Sequence, residues 1–268
     1  MTLKELKKRL SDGKIEDADF EAGVLFCRYA GISAAALPLN PSCESEELLR
    51  AVERRLSHEP LQYILGECEF YSEKYYLSPD CLIPRSDTEI IVEYAIENLP
   101  QDAFFADLCT GSGCIAISIL AHRPDCRAIA CDISEGALCM AKKNAEANGV
   151  QDRITLQRLD VLNQALDEPL DAVISNPPYI RKSVIPTLSP EVRYEPVIAL
   201  DGGEDGMIFY EKITSDYKDK IKDDGFILFE TGYDQKTDIE STAKKNSLFC
   251  NCISDYSGNH RGAVLSKQ

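Results

Sequence analysis

From about residue 100 onward, short apolar runs alternate with amphipathic stretches, and that rhythm admits few architectures. The runs lie at 103–108, 127–132, 154–159, 170–175 and 225–230. Helical patterns follow at about 112–123, 135–148, 206–221 and 234–245. Strands that alternate with helices of this length build βαβ units, and hence a doubly wound, mainly parallel sheet of the α/β class. Two more strand-like pieces, 249–254 and 262–266, come without a helix between them. They are expected to form an antiparallel hairpin at the sheet edge. An open sheet of this kind binds ligands beyond the carboxyl ends of its strands.

The first run passes through Asp107-Leu108-Cys109-Thr110-Gly111-Ser112-Gly113 straight into a helical stretch at Cys114. Glycines at such a junction let the backbone turn tightly and approach a ligand closely. The spacing Gly111-x-Gly113-x-x-Ala116 also satisfies a dinucleotide pattern. Asp132 closes the second run, about 20 residues on, where a carboxylate can bind ribose hydroxyls. Both NAD and S-adenosylmethionine carry an adenosine, so these features alone fit either. Asp107 favours the second. A carboxylate just ahead of the loop suits an ammonium or sulfonium and is badly placed beside a pyrophosphate, which prefers bare N–H groups. Asp107 also reads as a helix-capping carboxylate and Asp132 as an ordinary turn residue.

Beyond the fourth run stands Asn176-Pro177-Pro178-Tyr179. The carboxamide oxygen of Asn176 and the Pro177 carbonyl can accept both hydrogens of one –NH2 group. Pro177 and Pro178 lack N–H groups and fix the backbone, so those acceptors stay in place. Tyr179 offers a flat face for stacking. Hydride transfer has no need of such a set. The plain alternative is a proline-rich turn.

Residues 1–75 read as mostly helical. Thr2-x-x-Glu5 makes a capping box ahead of Leu6 and Leu10. Phe20, Val24, Leu25 and Tyr29 fall at helical spacing within 17–30, and Leu48, Leu49, Val52 and Leu56 within 44–57. No reactive cluster occurs there, so a small substrate-docking domain is expected. Aromatic pieces at 69–71 and 74–77 should pair as a hairpin, linking this domain at about 84 to a sheet domain over 85–268. A second capping box, Ser86-x-x-Glu89, should open a helix with Ile90, Ile91, Tyr94 and Ala95 inward.

The net charge is −16. Nucleic-acid binders normally carry basic surface that displaces counterions, so no stable nucleic-acid partner is expected. No apolar run approaches the roughly 20 residues that cross a bilayer. The first residues read as an amphipathic helix rather than a signal peptide, which points to the cytoplasm and no membrane partner. The 11 cysteines are scattered without a C-x-x-C pair beside 3 histidines, so neither a metal nor a disulfide framework is expected. Cys109, Cys114, Cys131 and Cys139 lie in apolar segments and should be buried as small hydrophobes. Nothing calls for a dimer, so a monomer is expected.

The pair Asp107-x-x-x-Gly111-x-Gly113 and Asn176-Pro177-Pro178-Tyr179 resembles the amino-methyltransferases of the seven-stranded class. Other stretches narrow the likeness. They are Pro60-Leu61-Gln62-Tyr63-Ile64-Leu65-Gly66-Glu67, Glu69-Phe70 and Leu82-Ile83-Pro84-Arg85-Ser86-Asp87-Thr88-Glu89. Downstream come Val192-Arg193-Tyr194-Glu195-Pro196 and Ala199-Leu200-Asp201-Gly202-Gly203. From about residue 60 to 232 the chain thus resembles the HemK/PrmC release-factor glutamine methyltransferases. The resemblance implies a seven-stranded, Rossmann-like, S-adenosylmethionine-dependent methyltransferase domain behind a small N-terminal helical domain.

It also implies a site. Asp107, Cys109, Thr110, Gly111, Ser112, Gly113 and Asn176 would hold the cofactor, with Asp132 on the ribose hydroxyls. Asp160 would face the adenine amino group and Val161 its ring. Asn176, Pro177, Pro178 and Tyr179 would bind and align the substrate amide. Arg85 either steadies the substrate loop or pairs with Asp87 or Glu89. Several positions depart from the family. Cys109 replaces a usual glycine, which requires it to keep a negative φ. Ser86 replaces a proline, and Val161 stands where many members have an aromatic residue. The tail Tyr256-Ser257-Gly258-Asn259-His260-Arg261 matches only loosely.

The implied reaction moves a methyl group from S-adenosylmethionine, leaving S-adenosylhomocysteine, to the glutamine side chain in the Gly-Gly-Gln loop of class 1 peptide chain release factors. That modification tunes translation termination. The main rival is a base amino-methyltransferase acting on ribosomal RNA or DNA, opposed by the charge and by the acidic segment 201–205. A cofactor-binding adaptor without turnover and a dehydrogenase are further alternatives. A Gly-Gly-Gln loop is small, so a second contact through residues 1–75 is expected.

Overall fold

The computed structural model describes residues 1–39, 42–255 and 258–267. Tyr256 and Ser257, from the loosely matching tail, lie outside the described residues. The chain divides into two compact units, Met1–Gly66 with Ser189–Tyr194, and Glu67–Leu188 with Glu195–Gln268.

The first unit is helical: α1 (Leu3–Asp12), α2 (Ala18–Ala30), α3 (Glu46–Leu56) and the short α4 (Leu61–Leu65). Thr2 and Glu5 form the expected capping box. Leu6, Leu10, Leu25, Phe26, Leu48 and Val52 make its core. The phase of α2 differs from the sequence reading. Ala18, Ala22, Leu25 and Phe26 face inward, whereas Phe20 is 69% exposed. Alanines at i and i+4 complete the buried stripe, and the eye follows the larger Phe20 instead. Leu49 on α3 is likewise exposed. Arg55 is buried, and its guanidinium bonds Glu21 at 2.5 Å and Glu191 at 3.3 Å, which ties segment 189–194 to the helices of its own unit.

In the second unit β1 (Glu67–Phe70) and β2 (Glu73–Tyr76) pair antiparallel as the expected hairpin. By its contacts this hairpin groups with the sheet unit. Tyr75 is fully buried, and its hydroxyl lies 2.6 Å from Ser118 Oγ. Then follow α5 (Glu89–Asn98), β3 (Phe104–Leu108), α6 (Cys114–His122), β4 (Arg127–Asp132), α7 (Glu135–Ala147), β5 (Ile154–Arg158) and β6 (Leu170–Ser175). The last elements are α8 (Ile208–Tyr217), β7 (Ile221–Glu230), α9 (Lys236–Lys245), β8 (Phe249–Ser254) and β9 (His260–Ser266). The second capping box does not form. Ser86–Thr88 is a 3-10 turn, and the Glu89 carboxylate accepts the Tyr71 backbone N–H at 3.0 Å.

Among the described residues a seven-stranded sheet runs β5-β4-β3-β6-β7-β9-β8. The first five strands in that order are parallel, while β9 pairs antiparallel with both β7 and β8. Alternate strand residues serve the two faces. Phe105, Ala172, Ile174 and Leu228 pack with α5 and α6, whereas Leu108, Val173, Ile227 and Phe229 pack with α8 and α9. That double covering explains why the strands read as unbroken apolar runs. Cys114 and Cys131 are buried and Cys109 partly so, but Cys139 is exposed. The inner face of α7 is made by Ala137, Ala141 and Ala145, which leaves Cys139 outside. No helix among the described residues is long and apolar enough to cross a membrane.

Candidate active site

Between β3 and β6 the connections change direction: β4 and β5 lie to one side of β3, and β7 lies beyond β6. Such a switch point opens a crevice at the carboxyl ends of the strands. Here it is a cavity of about 1090 Å³, counting its open mouth, wholly within the second unit. Its wall is drawn in order from the residues that follow β3, β4, β5 and β6. These include Cys109 to Ser112, Asp132 to Ser134, Leu159 to Leu162, and Asn176 with Pro178. The turn before α5 adds Arg85 and Thr88.

The loop after β3 is fixed from below. Asp107 is completely buried; its Oδ2 accepts Thr110 Oγ1 at 2.5 Å and the Ala116 N–H at 3.2 Å. Its other oxygen, Oδ1, has no partner among the described residues. Burial pushes this carboxyl up to about 7. Asp107 does not line the cavity; it sits under the loop. Gly113 has φ 82° and lies so close to α6 and α7 that a Cβ would meet Ile117 Cδ1 at 2.8 Å. Cys109 has φ 61°, against the negative value required of it, so the backbone keeps the glycine-type bend with a thiol attached.

Asp132 lies at the cavity wall. Its Oδ2 accepts the Gly111 N–H and its Oδ1 the Ser134 N–H, both at 2.9 Å. Each oxygen keeps a lone pair for a further donor. Burial raises its pKa. Asp160 also lines the cavity and accepts Leu162 N–H at 3.0 Å and Asn163 Nδ2 at 2.7 Å. Val161 is buried and lines the same cavity, as do Leu159 and Ile133. A wall carboxylate with free lone pairs at Asp132 and an apolar slot at Leu159 and Val161 fit a cofactor with a ribose and a flat ring, while Asp107 lies beneath the loop and outside the wall.

On the other side Asn176 reaches the cavity from the end of β6, which Ser175 Oγ ties to Leu108 O at 2.6 Å. Asn176 Nδ2 donates to Thr88 Oγ1 at 3.4 Å, and Thr88 Oγ1 donates to Glu230 Oε2 at 2.5 Å. Tyr179 Oη donates to Glu230 Oε1 at 3.3 Å. Tyr179 and Pro177 stand outside the cavity wall, whereas Pro178 is part of it. The segment beyond is clamped by Gly202, where a Cβ would meet Tyr179 Cα at 2.7 Å, and by Gln235 Nε2 on the Tyr179 carbonyl. Arg85 pairs with neither Asp87 nor Glu89. Its partner is Glu195, a buried carboxylate that also accepts the Ile83 N–H at 2.9 Å. Asp87 instead pairs with Arg261 at 3.0 Å.

The structure therefore brings Arg85, Cys109 to Ser112, Asp132, Asp160, Val161, Asn176 and Pro178 to one cavity. Sequence reasoning overlooked Thr88, Glu195 and Glu230. Glu230 closes a buried run just as Asp132 does, so the same positional rule would have found it. Thr88 and Glu195 become visible only through the fold, because their partners lie 142 and 112 residues away.

Comparison with known proteins follows these two units. Residues 88–188 match the Methyltransferase small domain family, and residues 2–66 match the PrmC N-terminal domain family. A release factor glutamine methyltransferase from Geobacter sulfurreducens is 37% identical over 254 residues, covering 91% of this chain and 87% of that protein. One from Moorella thermoacetica is 36% identical, covering 97% and 95%. A ribosomal protein L11 methylase from Lactobacillus delbrueckii superposes with a TM-score of 0.52 at 22% identity, over 72% of this chain and 84% of its own. At that identity it shows the shared fold.

Proposed function

The chain belongs to the release factor glutamine methyltransferase family, and from that premise we propose that it methylates the side-chain amide of a glutamine in the Gly-Gly-Gln loop of class 1 peptide chain release factors. The methyl donor in this reading is S-adenosylmethionine. Asp132 would bind its ribose, the slot at Asp160 and Val161 its adenine, and the loop from Cys109 to Gly113 its amino-acid end. When bound there, that group supplies an electrophilic methyl carbon, with S-adenosylhomocysteine as product.

The chain's own task is alignment. An amide nitrogen is a weak nucleophile because its lone pair is shared with the carbonyl. Asn176 Oδ1 would accept one of its hydrogens and hold it toward the loop after β3, whereas Pro177, expected as the second acceptor, stands outside the cavity wall. Fixing a reacting pair in this way contributes roughly 7–11 kcal/mol. No strong base is required. Arg85, anchored on Glu195, would steady the incoming loop. Tyr179 would support the segment from behind, hydrogen-bonded to Glu230, rather than stack openly. The observation that carries the reading is the position of Asn176, on the cavity wall with its –NH2 turned toward Thr88.

The helical unit would supply the second contact with the release factor. The protein is expected to act as a monomer in the cytoplasm, without a stable nucleic-acid partner. The test is transfer of radiolabelled methyl from S-adenosylmethionine to purified release factor, with its Gly-Gly-Gln glutamine substituted as control and total RNA in parallel. Label on the intact factor alone supports the proposal; label on RNA alone overturns it. Asn176→Ala is expected to abolish transfer while calorimetric binding of the cofactor persists.

A further inference from the structure

We propose that Thr88 and Glu230 are positioning residues that fix which face of the Asn176 carboxamide meets the substrate, and thereby make the site select an amide over a carboxylate. The proposal rests on the reading of Asn176 as an acceptor for the glutamine amide. It follows from counting protons along the chain of hydrogen bonds. Glu230 is buried at the end of β7 and, when ionised, can only accept. Thr88 has one hydroxyl proton, and the 2.5 Å contact commits it to Glu230 Oε2. Toward Asn176, Thr88 Oγ1 therefore has only lone pairs to offer. The carboxamide 3.4 Å away must turn its –NH2 to Thr88, which leaves Oδ1 for the cavity. A glutamine –NH2 meets an acceptor there. A glutamate carboxylate would bring lone pairs against a lone pair.

Several groups face Glu230. Asp87 and Thr88 come from the turn before α5, Tyr179 from the segment after β6, and Arg261 from β9; Cys114 lies at the start of α6. Tyr210 of α8 bonds the Glu230 carbonyl at 2.9 Å. Burial raises the Glu230 carboxyl to about 7, with Asp87 adding to the rise and Thr88, Tyr179 and Arg261 opposing it. Once protonated, Glu230 can donate to Thr88, and the direction of the chain is no longer fixed. Transfer is therefore expected to fall on the acid side of about pH 7. Asp107 titrates in the same range, so a variant must assign that limb.

Steady-state methylation of release factor would be measured for wild type, Thr88→Val, Thr88→Ser, Glu230→Gln and Asn176→Ala. Thr88→Val is expected to lower kcat about tenfold or more with KM for the cofactor nearly unchanged, and Thr88→Ser to restore it. A Gly-Gly-Glu peptide should compete about tenfold better against Thr88→Val than against wild type. The acid limb should disappear in Glu230→Gln. Wild-type kcat and peptide selectivity in Thr88→Val, or an acid limb that persists in Glu230→Gln, would overturn the inference while the methyltransferase reading stands. If Glu230→Gln does not fold, the Thr88 pair decides. Absence of transfer by wild type, or full activity in Asn176→Ala, would instead remove the reading on which it rests.

Discussion

Cys109 carries a left-handed backbone, φ 61°, at the bend between β3 and the glycine loop. A side chain in that region costs roughly 1–2 kcal/mol, because Cβ crowds the carbonyl oxygen. The cost is tolerated because the β3 ladder fixes one side and the Thr110 N–H bond to Cys131 O at 2.9 Å fixes the other. Comparing two substitutions isolates it. Cys109→Gly and Cys109→Ala both remove the thiol, yet only the first relieves the strain, so the glycine variant should be more stable by about 1 kcal/mol in urea unfolding. Equal midpoints would count against a strained bend. At this scale the sequence was partly legible. Asp132 and Asn176 were visible because strand ends in a parallel sheet face the crevice. Arg85 was not assigned, because its partner Glu195 lies 110 residues away and no local pattern links the two.

The segment after β6 is the element on which the site depends, and it is built by close backbone approach. Ile180 N–H bonds Leu200 O at 3.0 Å, and Gly202 N–H bonds Ile180 O at 2.9 Å. A methyl at Gly202 would fall 2.7 Å from Tyr179 Cα and 2.9 Å from Pro178 O, atoms that cannot swing aside. Gly202→Ala should therefore push the Asn176 segment away from β3. Overpacking of this kind costs roughly 1–3 kcal/mol, and a displacement near 1 Å can lower kcat about 100-fold. A thermal melt and a methylation assay on the same preparation would check both, and an unaltered kcat would refute the dependence. Strand positions were legible here because doubly covered strands are apolar throughout. Helix phase was less so, as α2 shows, because alanine fills a packed face without looking hydrophobic.

For the molecule as a whole, ionising its buried carboxylates carries a stability cost. Burial raises Asp107 and Glu230 to about 7 from ordinary values of 3.8 and 4.5. Both groups then bind protons more tightly folded than unfolded, so their contribution is fully present below the unfolded values and is lost as pH rises through about 7. The urea midpoint should be lower at about pH 8 than at about pH 6, and Asp107→Asn should narrow that difference. A midpoint that rises over this interval would contradict the assignment. The mainly parallel, doubly wound sheet was foreseeable from alternation alone. The hairpin at 67–76 was foreseeable as a hairpin, but its membership of the sheet unit depends on Tyr75, whose burial against Ser118 no local pattern reveals.

The order of strands in the sheet departs from their order in the chain at its last edge. β9 follows the other strands in the chain, yet it lies inside the sheet, between β7 and β8. A nascent chain that has emerged only as far as Glu230 ends its sheet at β7, with the row from Phe226 to Glu230 lacking the partner that Gly262 to Ser266 will provide. An apolar strand with an open ladder is a template for pairing with other chains. A fragment that ends within α9 or β8 is therefore expected to aggregate more readily than the full chain, which light scattering of the two would check. The strand made last is the one that covers the apolar edge of β7.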